Sequence, residues 1–300
     1  MAGWEMWYTS LVLLATVTHK VSSNSLEMDL APDAVDDAYS ACREQMLQKV
    51  LAKDGILQTE LGKDSVFKSA WNASQGCDKT ISGGQQEHTQ ALQSFVNFGD
   101  LTKKVNKAVK TQGGNVDIYT NQFQYKSLHF LLMDAMRLLN KTECRTVFSS
   151  TFDDITAVKG ADVRFGTFVS AESDRGFVEE GCVDGGTLFN ITTCSGINVE
   201  SNVCRSEETT MLISPVELFK VVDVNTNTEC RREIVLTSLG FKSDHDCYLF
   251  PRVDTTKSPP TTHTTSTTKD PIGSSTQWMS SHGVVLLATL LSMCSIFLAL

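Results

Sequence analysis

Basic residues are scarce in this chain. Lys and Arg number 26 against 35 Asp and Glu, for a formal net charge of −9. That balance argues against a nucleic-acid footprint, which needs a basic patch or stripe. No Lys or Arg precedes Lys20, and none follows Lys269. Internal repeats are absent, which excludes solenoids and propellers. Long charge-free apolar runs are also missing from the body of the chain; they stand at its two ends.

Residues 7–17 form a short apolar run followed by Ser22 and Ser23. The run is too short to span a bilayer and is expected to be a signal peptide covering residues 1–23, although its first residues carry Glu5 and no basic residue. A buried N-terminal helix is the alternative. Residues 283–300 are 18 positions without a charge and without a basic flank. A polar spacer, 276–282, and the small cluster Gly273-Ser274-Ser275 precede them, a pattern expected of a GPI-anchor signal over 276–300. A single-pass helix is the other reading. Residues 255–270 hold eight Thr, two Ser and two Pro, with little to bury. The stretch 254–275 is therefore expected to be an extended, O-glycosylated stalk. Residues 24–253 are left as one domain with a sizeable core, held at the cell surface on the extracellular side.

The chain has nine Cys, of which Cys294 lies in the tail. Eight in an oxidising compartment predict disulfides, with 105 possible connectivities for four bridges. Asn72, Asn140 and Asn190 each begin an Asn-x-Ser/Thr glycosylation sequon.

Within the domain the pattern is helical first and β second. Apolar spacing predicts helices over 34–51, with Asp33 as N-cap and Asp36 and Asp37 in its first turn, then 90–98, 101–110 and 123–139. His129 sits on or beside the apolar face of the last and is read as a core residue. Beyond Cys144, short β-branched or alternating runs predict strands over 145–148, 167–170, 187–193, 211–213, 219–224 and 233–239. The fold class is α+β.

Several segments carry a resemblance. Met28 to Cys42 contains Asp36-Asp37 followed by Tyr39 and Cys42. Phe123-Gln124-Tyr125-Lys126-Ser127-Leu128-His129-Phe130 opens the strongest helix. Arg164-Phe165-Gly166-x-Phe168, Thr193-Cys194-Ser195-Gly196 and Leu212-Ile213-x-Pro215-x-Glu217-x-Phe219 follow in order. In number, order and spacing these resemble the vertebrate GPI-anchored ecto-ADP-ribosyltransferases, which transfer ADP-ribose from NAD to arginine. The resemblance implies an N-terminal helical part packed on two perpendicular, mainly antiparallel sheets around an NAD cleft. It implies bridges Cys42–Cys247 and Cys144–Cys194, with Cys77, Cys182, Cys204 and Cys230 left unassigned. It implies NAD as co-substrate, no metal, arginine-bearing surface or secreted proteins as partners, and attachment to the outer membrane leaflet.

The chemistry asks for particular groups. Breaking the nicotinamide–ribose bond builds positive charge on the ribose, which a fixed carboxylate stabilises. An Arg suits the NAD phosphates through its planar fork. The resemblance places these roles on three strands. Ser149 stands where the family has the Arg, and Ser170 matches the family Ser. Ala171-Glu172 replaces the usual small hydroxyl pair after it. Glu208 stands at the acceptor-side Glu, and Thr210 at the catalytic Glu. Neither Ser149 nor Thr210 carries the charge its role requires, so weak or lost transferase activity is expected. A surface recognition protein on the same fold is the alternative.

Overall fold

The computed structural model describes residues 25–250 apart from 142, 183–184, 206–209 and 227–228. The expected signal peptide, stalk and anchor signal lie outside the described residues, as does Glu208. Seven helices occupy the first half: α1 (Arg43–Leu51), α2 (Ile56–Lys63), α3 (Ser65–Ala73), α4 (Gln86–Asn97), α5 (Gly99–Thr111), α6 (Val116–Asn121) and α7 (Lys126–Leu139). Ten strands follow the same numbering: β1 (Leu26–Glu27), β2 (Arg145–Thr151), β3 (Ile155–Thr156), β4 (Asp162–Val163), β5 (Val169–Ala171), β6 (Thr187–Thr193), β7 (Ile197–Asn198), β8 (Met211–Ile213), β9 (Glu217–Thr226) and β10 (Arg232–Phe241). The fold is α+β. A five-stranded sheet has the order β2-β6-β10-β9-β4, and a three-stranded sheet the order β5-β8-β7. All pairings in both are antiparallel except β6 with β10.

The three-stranded sheet divides two cores. Side chains alternate across a strand. On β8, Leu212 joins the helical core with Phe95, Leu131 and Phe168. Its neighbours Met211 and Ile213 join the second core, with Val147, Ile191 and Phe219 of the larger sheet. Position 170 therefore shares the helix-facing side of β5 with Phe168. The same period continued past the strand puts 172 on that side, and puts 210 on the Leu212 side.

The predicted helix over 34–51 is corrected: it begins only at Arg43. Its expected first turn does other work. Asp36 accepts from the Arg164 guanidinium at 3.0 Å and from Asp244 N–H at 2.9 Å. Asp37 accepts from the backbone N–H of Cys247 at 2.6 Å and of Tyr248 at 3.1 Å. Carboxylates engaged with residues 128 to 211 positions away cannot serve as helix-start charges, and Tyr39 turns the chain with a φ of 54°. Two short helices between Leu51 and Cys77, and α6, were not predicted. Asp64 caps α3 by accepting from Val66 and Phe67 N–H, and Asn115 caps α6 through Ile118 N–H. These are ordinary cap signals on helices too short to show a clear period.

The two expected bridges, Cys42–Cys247 and Cys144–Cys194, are present. The unassigned cysteines pair as Cys77–Cys204 and Cys182–Cys230. Of the sequon residues, Asn72 is exposed, whereas Asn140 and Asn190 are half-buried.

The start of α7 is satisfied by a buried carboxylate. Glu60 accepts from the backbone N–H of Lys126 at 2.8 Å and of Ser127 at 3.0 Å, and from the Ser127 hydroxyl. Burial lifts this carboxyl from 4.5 to about 7. The folded chain thus holds a proton that the unfolded chain releases, and stability falls as pH rises from 4.5 toward 7. His129 is fully buried, with Nδ1 2.8 Å from the Tyr39 hydroxyl, and desolvation pushes it from 6.5 down to about 4. Its sign is opposite: stability is lost as pH falls from 6.5 to 4. Glu60→Gln removes the first slope only. Its stability relative to wild type should improve as pH climbs from about 4.5 to 7, by at most about 1.4 kcal/mol per pH unit. Urea unfolding at pH 5 and pH 7 checks this; a pH-independent difference would contradict it.

Candidate active site

The residues before α1 form one wall of a cleft. Leu26 and Glu27 pair with Ile155 and Thr156, and Val35 N–H donates to Val109 O at 2.7 Å on α5. The segment thus ties the strands to the helices. Arg164 fixes it from below. Its Nε donates to Leu30 O at 2.6 Å, Nη1 to Asp36 and to Lys242 O at 2.7 Å, and Nη2 to Ala31 O at 3.2 Å. Gly166 follows with φ +64°, and a Cβ there would stand 2.5 Å from the Ala31 Cβ. The Arg-Phe-Gly motif is therefore a close-approach device.

The cleft between these elements has a volume of about 680 Å³. Ser149, Phe168 and Ser170 line it from the strands, Asn106 and Lys110 from α5, and Asp29 and Asp33 from the N-terminal segment. Asn106 binds both backbone groups of one residue, donating to Phe168 O at 2.8 Å and accepting from Phe168 N–H at 3.0 Å. This fastens α5 to the strand bearing Ser170. Sequence reasoning missed Asn106, since an Asn inside a helix gives no period signal.

Ser149 is 9% exposed, and its hydroxyl donates to Ser170 O at 2.8 Å. Two of the resemblance-derived residues are thereby brought together. The cationic residues lining the cleft are Lys110 and Arg164. Arg164 is fully engaged, which leaves Lys110, exposed on α5, as the available positive charge among the described residues. Arg145 stands at the far end of β2, opposite Thr193, with its guanidinium 3.8 Å from Glu143.

Thr210 directly precedes β8. The register of β5 with β8 runs Val169↔Ile213, Ser170↔Leu212, Ala171↔Met211 without a shift. The next rung sets Glu172 opposite Thr210. The Glu172 carboxylate accepts from Thr210 N–H at 3.1 Å through Oε1 and from the Thr210 hydroxyl at 2.5 Å through Oε2. Glu172 also exchanges backbone bonds with Phe148 of β2, at 2.7 and 2.8 Å. Ser149, Ser170, Glu172 and Thr210 therefore gather on three adjoining strands. Glu172 was noted in the sequence only as a departure from a motif. Its contact with Thr210 needs the strand register, which the sequence does not display.

A family model for NAD:arginine ADP-ribosyltransferase matches residues 28–244. The chain belongs to the NAD:arginine ADP-ribosyltransferase family. It is 29% identical over 249 residues to the GPI-linked NAD(P)(+)--arginine ADP-ribosyltransferase 1 of Oryctolagus cuniculus, covering 75% of each chain. It is 30% identical over 241 residues to the ecto-ADP-ribosyltransferase 4 of Mus musculus, covering 75% of this chain and 77% of that one. The crystal structure of the mono-ADP-ribosyltransferase ART2.2 superposes with a TM-score of 0.62 at 28% identity, covering 74% of this chain and 98% of that one. A mutant of ART2.2 solved in complex with NAD also gives a TM-score of 0.62, at 28% identity.

Proposed function

We propose that the chain is an extracellular, GPI-anchored mono-ADP-ribosyltransferase that moves ADP-ribose from NAD to arginine side chains of surface or secreted proteins, with weakened turnover. The observation that carries this reading is the 680 Å³ cleft beside Ser149 and Ser170, with an ordered carboxylate two residues beyond Ser170. The NAD-bound ART2.2 structure supports taking NAD as its occupant.

The weakening follows from charge. Ser149 cannot form the two parallel hydrogen bonds that a guanidinium gives to phosphate oxygens. Lys110 offers a point charge on a flexible stem in its place, which attracts phosphate without fixing its orientation. NAD is then held loosely and the ribose is less well placed for the bond to break. In the reaction the nicotinamide leaves with the electron pair of the C1′–N bond. A guanidine nitrogen then bonds to C1′ and releases a proton. Glu208 is the acceptor-side residue of this reading, since a carboxylate near an incoming guanidinium orients it by charge and hydrogen bonding.

Full-length protein incubated with NAD labelled in the adenylate part and an arginine-rich acceptor protein tests the proposal. Slow incorporation, with nicotinamide released in step, is expected. Neither product above the protein-free rate would sink the transferase reading. Ser149 and Thr210 favour a second reading, a surface recognition protein that binds NAD without turnover. Saturable NAD binding with no product selects it.

The anchor has its own check. Phosphatidylinositol-specific phospholipase C should release the protein from cells, because the small cluster Gly273-Ser274-Ser275, a polar spacer and the charge-free run 283–300 form the pattern of an anchor signal. Retention on the cells, with residues 283–300 still attached, would mean a spanning helix.

A further inference from the structure

We propose that Glu172 supplies the carboxylate that stabilises the ribose charge in this chain, and that Thr210 positions it. The proposal rests on the transferase reading above and names the group through which turnover runs.

The geometry gives the reason. Residues facing each other across an antiparallel rung have Cβ atoms about 4.5–5.5 Å apart on the same face. Positions 172 and 210 are such a pair, one rung beyond Ala171↔Met211. A Glu side chain spans that gap. A carboxylate rooted on 172 therefore reaches the region that one rooted on 210 would occupy. The contacts bring it to Thr210: its Oε1 accepts from the Thr210 N–H at 3.1 Å and its Oε2 from the Thr210 hydroxyl at 2.5 Å. Set beside the family resemblance, the chain has a carboxylate where a small hydroxyl is expected, and a small hydroxyl where the carboxylate is expected. One rung still carries one of each.

The state of Glu172 fits a working group. It is half-buried, and among the described residues no Lys or Arg forms an ion pair with it. A carboxylate accepts at about four lone-pair positions, so two bonds from Thr210 leave capacity for a ribose hydroxyl. Ser170, two residues earlier on the same strand face, lines the cleft. Glu172 lies about 7 Å further along that face, just past the cleft wall. A molecule lying in the cleft and continuing past Ser170 meets it there. Holding a carboxylate by two donors before the reaction begins is the preorganisation that electrostatic catalysis requires.

The step balances without a further reagent. The C1′–N bond of NAD breaks, and its electron pair leaves with neutral nicotinamide. The ribose becomes cation-like and is stabilised by the Glu172 carboxylate. A guanidine nitrogen bonds to C1′ and its proton passes to solvent. Glu172 changes neither its charge nor its bonds.

Glu172→Gln is the informative variant. The amide oxygen still accepts from Thr210, so the local contact is kept and only the charge goes. With the full chain purified in detergent, NAD binding by calorimetry and nicotinamide release by chromatography are both measured. Wild type should bind NAD and release nicotinamide slowly. E172Q should bind NAD within about twofold of wild type and release nicotinamide about 10²-fold more slowly, the scale expected for one preorganised electrostatic group. Glu172→Ser with Thr210→Glu moves the carboxylate back across the rung and should recover most of the loss. Thr210→Val removes the hydroxyl that aims Glu172. It should lower kcat about tenfold with KM little changed, the pattern of an interaction made only in the transition state.

Release by E172Q within twofold of wild type overturns the assignment while leaving the transferase reading intact. Wild type that binds NAD and releases no nicotinamide overturns it too. Absence of NAD binding by folded wild type sinks the transferase reading and this inference with it.

Discussion

A variant combining Ser149→Arg, Glu172→Ser and Thr210→Glu should raise kcat/KM for ADP-ribose transfer by about 10²–10³ over wild type. Ser149 lines the cleft from β2 and now only donates to Ser170 O. An Arg there would turn a guanidinium fork toward the phosphates, where Lys110 provides only a loose charge. Clamping the phosphates places the ribose, so the gain from a fixed carboxylate depends on the clamp, and the two effects should exceed their separate sums. Glu172→Ser is required in the combination. Without it, Thr210→Glu sets two carboxylates on one rung, where like charges repel and displace each other. Ser149→Arg with Thr210→Glu alone should therefore gain less than the triple variant. Steady-state kinetics on wild type, the double variant and the triple variant decide the matter. A folded triple variant no faster than wild type would show that β2 does not face the NAD phosphates.

Arg164→Ala should be the most damaging single change to stability, at about 3–5 kcal/mol. Arg164 is 3% exposed, and its guanidinium binds Asp36 and three backbone carbonyls. Its removal strands the Asp36 carboxylate, 2% exposed, with its remaining partners His245 and Asp244 N–H. The same contacts hold the N-terminal segment that walls the cleft, so NAD binding should fall together with stability. Thermal unfolding reads the loss directly; at about 2–4 °C per kcal/mol for a domain of this size, a drop of at least 6 °C is expected. An unchanged melting temperature would mean that the buried ion pair contributes nothing net.

Much of the fold is legible in the sequence for a definite reason. Phe123 to Leu139 carries a clear helical period and the runs after Cys144 are β-branched or alternating, and each became an element at nearly its expected place. Residues 34–42 misled because Asp36 and Asp37 resemble helix-start charges, while their partners Arg164, Asp244, Cys247 and Tyr248 lie far along the chain. The site divides in the same way. Ser149, Ser170 and Thr210 can be named from motifs because each sits in or directly beside a recognisable strand. Glu172 gains its meaning only from the rung it shares with Thr210, and a rung is a relation between two strands 38 residues apart. The pairing of Cys77 with Cys204 and of Cys182 with Cys230 was hidden likewise, since only the folded chain brings those sulfurs together.

Titration of wild-type full-length protein with NAD, read by calorimetry, tests the central claim most directly. The expected result is saturable binding of one NAD per chain, weakened by rising salt because Lys110 is the available cation lining the cleft, and displaced by ADP-ribose. No binding at millimolar NAD by protein that remains folded would contradict it.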